Sequence, residues 1–339
     1  MIVDDSPVAR TVLSRMIGSH KEFEVVAMAA NAGEALDNLG KNRVDIVLLD
    51  VEMPGTSGLD ALPEILEKGE GAQVLIVSSN CEDGAEAAVK ALALGAADTL
   101  PKPGAGTFVG RFADLLVERL RKIARASRED GIEAERAKLR PMQIEKLSCL
   151  ALGASTGGLH ALNEFFAALP PIVDVPILIT QHLPPVFMPY FARQIESAAK
   201  RPTRVAETGF RVKRGEILVA PGDAHLSLRR QGGYVYTELV DAPAISGCMP
   251  SVDTMFAGLA KVYGANGMGI VMSGMGRDGL VGSLALVESG GAVVVQDQHS
   301  CAVWGMPRAV AEAGIASAVL PPADLAMVAG AVAQGVPWM

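Results

Sequence analysis

Near the middle of the 339-residue chain an apolar stretch, 147–152, runs into Gly153-Ala154-Ser155-Thr156-Gly157-Gly158. Gly-x-Ser-x-Gly after a strand presents a hydroxyl on a sharp turn into a helix, and the glycines remove side chains that would shield it. The same run also suits a plain strand-to-helix turn, or a phosphate-holding loop with Ser155 as its cap. A base and an orienting acid decide between these, because serine is a weak nucleophile until its proton is taken.

Four histidines lie in this half: His160, His182, His225 and His299. His182 follows the strand-like run 175–181, which places it at the same carboxyl edge as Ser155 in a parallel sheet. His160, five residues past Ser155 on the expected helix, turns away from the hydroxyl. His225 and His299 stand in polar segments and are expected at the surface. The acid should end another strand. Residues 269–272 lead into the glycine-rich loop 273–279, which carries Asp278. The alternative, Asp253 in Pro250-Ser251-Val252-Asp253, precedes a helix-like segment and reads as a cap or substrate-side residue. The order Ser155, His182, Asp278 differs from the Ser, acid, His order of the hydrolase fold that owns the nucleophile elbow, so similar chemistry is expected on another fold.

A second constellation lies near the N-terminus. Asp4 and Asp5 follow Ile2-Val3, Asp50 ends the apolar run 44–49, Ser78 ends 74–77, and Lys102 follows 98–100. These runs alternate with helix-period segments such as 8–17 and 84–94, the pattern of a parallel sheet wrapped by helices, whose strands share one ligand-binding edge at their carboxyl ends. Three carboxylates, a hydroxyl and an ammonium would converge there. Clustered carboxylates repel unless a cation neutralises them, and an all-oxygen set suits magnesium. Singly, each residue has a plainer role, an acid capping a helix or a lysine on a solvated loop; the ordered set carries the signal.

Length points to two domains. Residues 1–124 carry a net charge of −7 and residues 147–339 one of −2, while 125–146 is dense in charge and poor in large apolar residues, as expected of a partly helical linker. We place the domains at 1–124 and 147–339. The overall charge of −8 argues against nucleic acid or an anionic membrane as the main partner. No apolar run approaches a membrane span and the N-terminus lacks an export-signal layout, so the chain reads as cytoplasmic. Cys81, Cys149, Cys248 and Cys301 lack paired spacing, which indicates neither a zinc site nor a disulfide framework.

Val3-Asp4-Asp5-Ser6, Leu49-Asp50-Val51-Glu52-Met53-Pro54-Gly55, Ser78-Ser79 and Lys102-Pro103 resemble the receiver domain of two-component response regulators. The resemblance implies that Asp50 is the phosphoacceptor. It implies that Asp5, Asp50 and the backbone of Glu52 hold magnesium with Asp4 helping through water, and that Ser78 and Lys102 contact the phosphoryl oxygens. The first strand has only Ile2 and Val3 ahead of its acids, so a few residues are expected to be missing at the start of the chain, which would weaken the edge of the sheet. Thr99 stands where receivers often carry an aromatic switch residue.

The second half carries six motifs in one order: 153–158, Thr180-Gln181-His182, Ala220-Pro221-Gly222-Asp223, Pro250-Ser251-Val252-Asp253, 272–279 and Gly305-Met306-Pro307-Arg308. Together they resemble the catalytic domain of the chemotaxis receptor methylesterases, the CheB family. That resemblance implies an α/β architecture of two doubly wound domains, a flavodoxin-like receiver and a mainly parallel-sheet serine hydrolase. Ser155, His182 and Asp278 would be its triad, with backbone amides near Thr156 and Met275 receiving the oxyanion. Met249 stands where the family usually has arginine.

The reaction so implied is hydrolysis of glutamate γ-methyl esters on methyl-accepting chemoreceptors, with deamidation of receptor glutamines beside it, in a monomer controlled by a chemotaxis histidine kinase. The esterase step would need no cofactor, and the receiver would cover the catalytic edge until phosphorylated. Two other readings compete: a phosphorylation-controlled binding module with an inactive hydrolase domain, and a dinucleotide-dependent oxidoreductase. The second fails because Gly264, Gly267 and Gly269 precede the apolar run rather than follow a strand.

Overall fold

The computed structural model describes residues 1–78, 82–102, 109–129, 138–142, 144 and 146–336. Ser79, Cys81, Pro103 and much of the expected linker lie outside the described residues. The chain forms two compact units, Met1–Gly131 and Ile132–Met339. Both are parallel-sheet α/β folds. Among the described residues no helix is long and apolar enough to cross a membrane.

The first unit alternates β1 (Ile2–Val3), α1 (Pro7–Gly18), β2 (Met28–Ala29), α2 (Ala32–Leu39), β3 (Ile46–Leu49), α3 (Gly58–Lys68), β4 (Gln73–Ser78), α4 (Glu82–Ala93), β5 (Asp98–Pro101) and α5 (Val109–Glu129). Its five parallel strands lie in the order β2-β1-β3-β4-β5. Caps start the helices locally: the side chains of Ser6, Asn31 and Ser57 accept from Ala9, Glu34 and Asp60 N–H groups. Leu48, Leu75, Val77 and Leu100 pack against Leu13 and Ile17 of α1 and Leu116, Leu120 and Ile123 of α5. One expectation is corrected: β1 is no edge strand. It lies between β2 and β3, because the reversal of strand order after β2 brings the third strand back across it.

The second unit builds a seven-stranded parallel sheet from β6 (Cys149–Ala154), β7 (Ile177–Gln181), β8 (Thr203–Val205), β9 (Ile217–Val219), β12 (Gly267–Val271), β13 (Ala292–Gln296) and β14 (Val319–Leu320). The order is β14-β13-β12-β6-β7-β9-β8. β6, β7, β12 and β13 are buried at every residue, which is why they read as unbroken apolar runs. Around them pack α6 (Gly158–Ala168), α7 (Met188–Ala199), α8 (Val252–Tyr263), α9 (Leu280–Glu288), α10 (Met306–Glu312) and α11 (Pro322–Ala333).

An antiparallel hairpin, β10 (His225–Gln231) and β11 (Tyr234–Val240), turns through Gly232-Gly233, both at positive φ. It lies on α8, with Leu226 and Leu228 in one cluster with Met255, Phe256 and Leu259. Of the stretch expected to be linker, 125–129 continues α5, and Arg140 donates its backbone N–H to Ala316 O of the second unit at 2.9 Å.

Candidate active site

Ser155 is the first residue after β6, His182 the first after β7, and Asp278 lies in the loop from β12 to α9. Since β12, β6 and β7 are neighbours in the sheet, all three reach the same carboxyl edge. Half-buried Ser155 is held by its backbone: its N–H donates to Ser273 O at 3.0 Å, and its carbonyl accepts from Gly158 N at 2.9 Å and Gln181 Nε2 at 2.7 Å. The turn needs its glycines. Gly157 sits at φ +73° before α6, and a Cβ on Gly274 would stand 2.8 Å from Ser155 Cβ.

His182 Nε2 and Asp278 Oδ2 are 2.8 Å apart. Nε2 is therefore committed to the carboxylate, and a proton taken by His182 must arrive at Nδ1. Asp278 is the hub. Its Oδ1 accepts the Ser251 hydroxyl at 2.7 Å and the Asp253 N–H at 3.3 Å, and its Oδ2 accepts the Val252 N–H at 2.7 Å. It thus sits on the backbone amides at the start of α8, where the helix end favours negative charge. Burial pulls its carboxyl toward the neutral form, but hydrogen bonds and charge from His182, with the Val252 and Ser251 donors, outweigh burial and hold it well below the ordinary carboxylate range.

Asp253 behaves oppositely. It lies inside α8, so it does not cap that helix; its Oδ1 instead accepts the Gly282 N–H of α9 at 2.8 Å. Burial, then the neighbouring Asp278, push it up to about 6. Two adjacent carboxylates are driven apart, Asp278 held ionised and Asp253 keeping its proton to higher pH than an ordinary carboxyl.

His225 is the correction in this site. Expected at the surface, it is 1% exposed, because it opens β10 beneath the start of α8. Nδ1 accepts the Ser251 N–H at 2.9 Å, which places the ring hydrogen on Nε2, donating to Ala242 O at 2.8 Å. Sequence reasoning missed its role, as it missed that of Ser251; the Gly232-Gly233 turn signals the strand that carries His225, but not the helix that buries it. His160 and His299 are exposed, His160 beside Glu164 at 3.4 Å.

Two backbone amides at this turn are spent, Ser155 on Ser273 O and Gly274 on Val303 O. Thr156 is buried and Met275 half-buried, one residue beyond each. Met249 is 38% exposed.

In the first unit, Asp4, Asp5 and Asp50 bring carboxylate oxygens within 4.8 Å of one another. Lys102 Nζ lies 2.7 Å from Asp50 Oδ2 and 3.0 Å from Asp4 Oδ2, and the Glu52 N–H donates to Asp50 Oδ1 at 3.4 Å. Burial raises the Asp50 carboxyl, with Lys102 opposing and Asp4 adding to it. Burial also works against charge on Lys102, but its bonds to Asp50 and Asp4 win and raise it. Ser78 is fully buried with its hydroxyl unpartnered among the described residues, and Thr99 Oγ1, on the neighbouring strand, is likewise unpartnered. The all-oxygen donor set fits a magnesium ion, and an orphaned buried hydroxyl beside it fits an incoming oxyanion.

Residues 150–328 match the CheB methylesterase family and residues 1–108 the response regulator receiver domain. Protein-glutamate methylesterase/protein-glutamine glutaminase 2 of Caulobacter vibrioides is 40% identical over 331 residues, covering 95% of this chain and 94% of that one. The protein of the same name from Pyrococcus abyssi is 36% identical over 331 residues, covering 95% and 89%. The crystal structure of the Thermotoga maritima CheB methylesterase catalytic domain aligns with a TM-score of 0.53 at 34% identity, covering 54% of this chain and 97% of that chain. With the family matched over more than half its length and relatives aligned nearly end to end, the chain belongs to the CheB methylesterase family and carries a response regulator receiver domain ahead of its catalytic domain.

Proposed function

We propose that the chain is a phosphorylation-regulated protein-glutamate methylesterase, acting in the cytoplasm on methyl-accepting chemoreceptors and also deamidating receptor glutamines. The observation that carries this reading is the 2.8 Å His182–Asp278 pair beside Ser155 on one sheet edge. Ser155 Oγ attacks the γ-ester carbonyl while His182 takes its proton at Nδ1, and Asp278 stabilises the imidazolium through Nε2. The proton then passes to the leaving methoxide, methanol departs, and water hydrolyses the acyl-enzyme. With an amide substrate, ammonia leaves instead. As the family resemblance implies, the Thr156 and Met275 N–H groups are the proposed oxyanion donors, each worth about 3–4 kcal/mol by general experience.

In the receiver, Asp50 is the proposed phosphoacceptor, taking phosphoryl from a chemotaxis histidine kinase. Asp5, Asp50 and the Glu52 backbone, with Asp4, would hold magnesium, which supplies positive charge against the phosphoryl oxygens. Lys102 and Ser78 are placed to meet those oxygens. We take residues 1–124 and 147–339 as the two functional domains.

The test is methanol release from methyl-labelled receptor membranes by the intact chain and its Ser155→Ala variant, with and without magnesium and a small phosphodonor. We expect phosphodonor-stimulated release, abolished in Ser155→Ala. A folded intact chain that binds receptors but releases no methanol would instead establish the binding-module reading.

A further inference from the structure

Linear spacing pairs none of the cysteines with another ligand, but the fold does. Cys248 Sγ, a ring nitrogen of His182 and a carboxylate oxygen of Asp278 all lie within 4.8 Å of one another. Among the described residues the only other such cluster is Asp4, Asp5 and Asp50. The two sites differ in chemistry: three hard oxygens suit magnesium, whereas one sulfur, one imidazole and one carboxylate suit zinc.

Geometry is close to what zinc requires. Tetrahedral zinc holds sulfur at about 2.3 Å and nitrogen or oxygen at about 2.0–2.2 Å, so its ligands stand roughly 3.3–3.7 Å apart. The sulfur, within 4.8 Å of both other ligand atoms, has to draw in by up to about 1 Å, and the His182–Asp278 pair, now at 2.8 Å, to open by about half an ångström to reach that separation. The approach is open on two sides, since Cys248 is half-buried and the His182 side chain is 15% exposed. The loop bearing the thiol is tied to the carboxylate: Cys248 N–H donates to Ser246 Oγ at 3.3 Å, Ser246 Oγ lies 3.4 Å from Ser251 Oγ, and Ser251 bonds Asp278.

We propose that Cys248, His182 and Asp278 form an inhibitory zinc site. On binding, the Cys248 S–H bond breaks, its proton goes to solvent and a sulfur–zinc bond forms, with no change of oxidation state; one position is left for water. Zinc inserted between His182 and Asp278 takes the Nε2 lone pair, so the ring hydrogen moves from Nε2 to Nδ1, the nitrogen that must accept the Ser155 proton, and the esterase is silenced. Because the thiol must lose a proton, zinc affinity falls as pH falls. The silencing, though not the binding, rests on the methylesterase reading.

The experiment uses the full chain in saturating magnesium, which occupies the receiver carboxylates. Cobalt(II), a spectroscopic stand-in for zinc, should give tetrahedral visible bands and a thiolate-to-cobalt charge-transfer band, both displaced by zinc and both lost in Cys248→Ser. In the esterase assay, micromolar free zinc should inhibit reversibly, relieved by a zinc-selective chelator. Cys248→Ser should keep the metal-free rate and need at least about tenfold more zinc, since even loss of a partner behind a metal ligand costs that much. A wild-type cobalt spectrum without the thiolate band, or equal zinc sensitivity in Cys248→Ser, would overturn the proposal. If the chain proves to have no esterase activity, the cobalt spectrum still decides whether the site exists.

Discussion

His225 accepts the backbone N–H of Ser251 at 2.9 Å, and Ser251 passes its own hydroxyl to Asp278 at 2.7 Å. A buried imidazole two hydrogen bonds removed from Asp278, the proposed orienting acid, thereby fixes the segment that holds it. We expect His225→Ala to lower kcat by up to about a hundredfold with little change in KM, because it loosens the orientation of Asp278 and His182 rather than substrate contact. His225→Asn, whose amide oxygen can still accept from Ser251, should recover part of the loss. The variant should also lose roughly 1–3 kcal/mol of stability from the stranded Ser251 amide. Equal kinetics in wild type and His225→Ala, measured well below both melting temperatures, would reduce His225 to a packing residue.

Asp278→Asn isolates charge from geometry. The amide oxygen can still face His182 and Val252, while the new NH₂ can donate to Ser251 Oγ, which turns its own hydrogen away. The fold should persist and kcat should fall by up to about ten-thousandfold, as in other serine hydrolases that lose this carboxylate. Asp278 titrates lower folded than unfolded, so its ionised form stabilises the fold above the ordinary carboxylate range and that stability is lost as pH falls through the folded value. The variant should therefore melt below wild type at neutral pH.

How much of this site could be read from residues alone varied with the range of the interactions. Ser155, His182 and Asp278 each end an apolar run, and parallel strands must share a carboxyl edge, so their common location is a local inference. Their adjacency is not, because it depends on β6 lying between β7 and β12. His225 looked like a polar-loop residue because its burial comes from α8, which begins 27 residues later and covers the hairpin. Cys248 stands in a segment with no periodicity, and only tertiary structure brings it to His182. The same holds for β1, whose interior place follows from a reversal of strand order that no local pattern reports.

In the receiver, Ser78→Ala separates a structural from a signalling role. The Ser78 hydroxyl is fully buried and unpartnered among the described residues, a burden of roughly 1–3 kcal/mol on the unphosphorylated fold. Removing it should leave the melting temperature unchanged or raised. Phosphodonor-stimulated methanol release should nonetheless drop, since a phosphoryl oxygen loses its donor. A lower melting temperature with intact stimulation would make Ser78 a packing residue only.

Asp253→Asn should change stability with the opposite sign to Asp278→Asn. Burial, and then Asp278, push the Asp253 carboxyl up to about 6, above its unfolded value. Such a group favours the fold when protonated and weakens it once ionised, so wild type loses stability as pH rises from about 4 to about 6, by at most about 3 kcal/mol for a shift of some two units. An asparagine keeps an oxygen for the Gly282 N–H and supplies a donor toward Asp278, mimicking the protonated acid at every pH. Thermal melts should show the variant more stable than wild type at pH 8, with the gain shrinking toward zero near pH 4. Its esterase activity should stay within about tenfold of wild type, since Asp278 remains to orient His182. Loss of activity as large as that of Asp278→Asn, with Asp278→Asn itself active, would transfer the orienting role to Asp253.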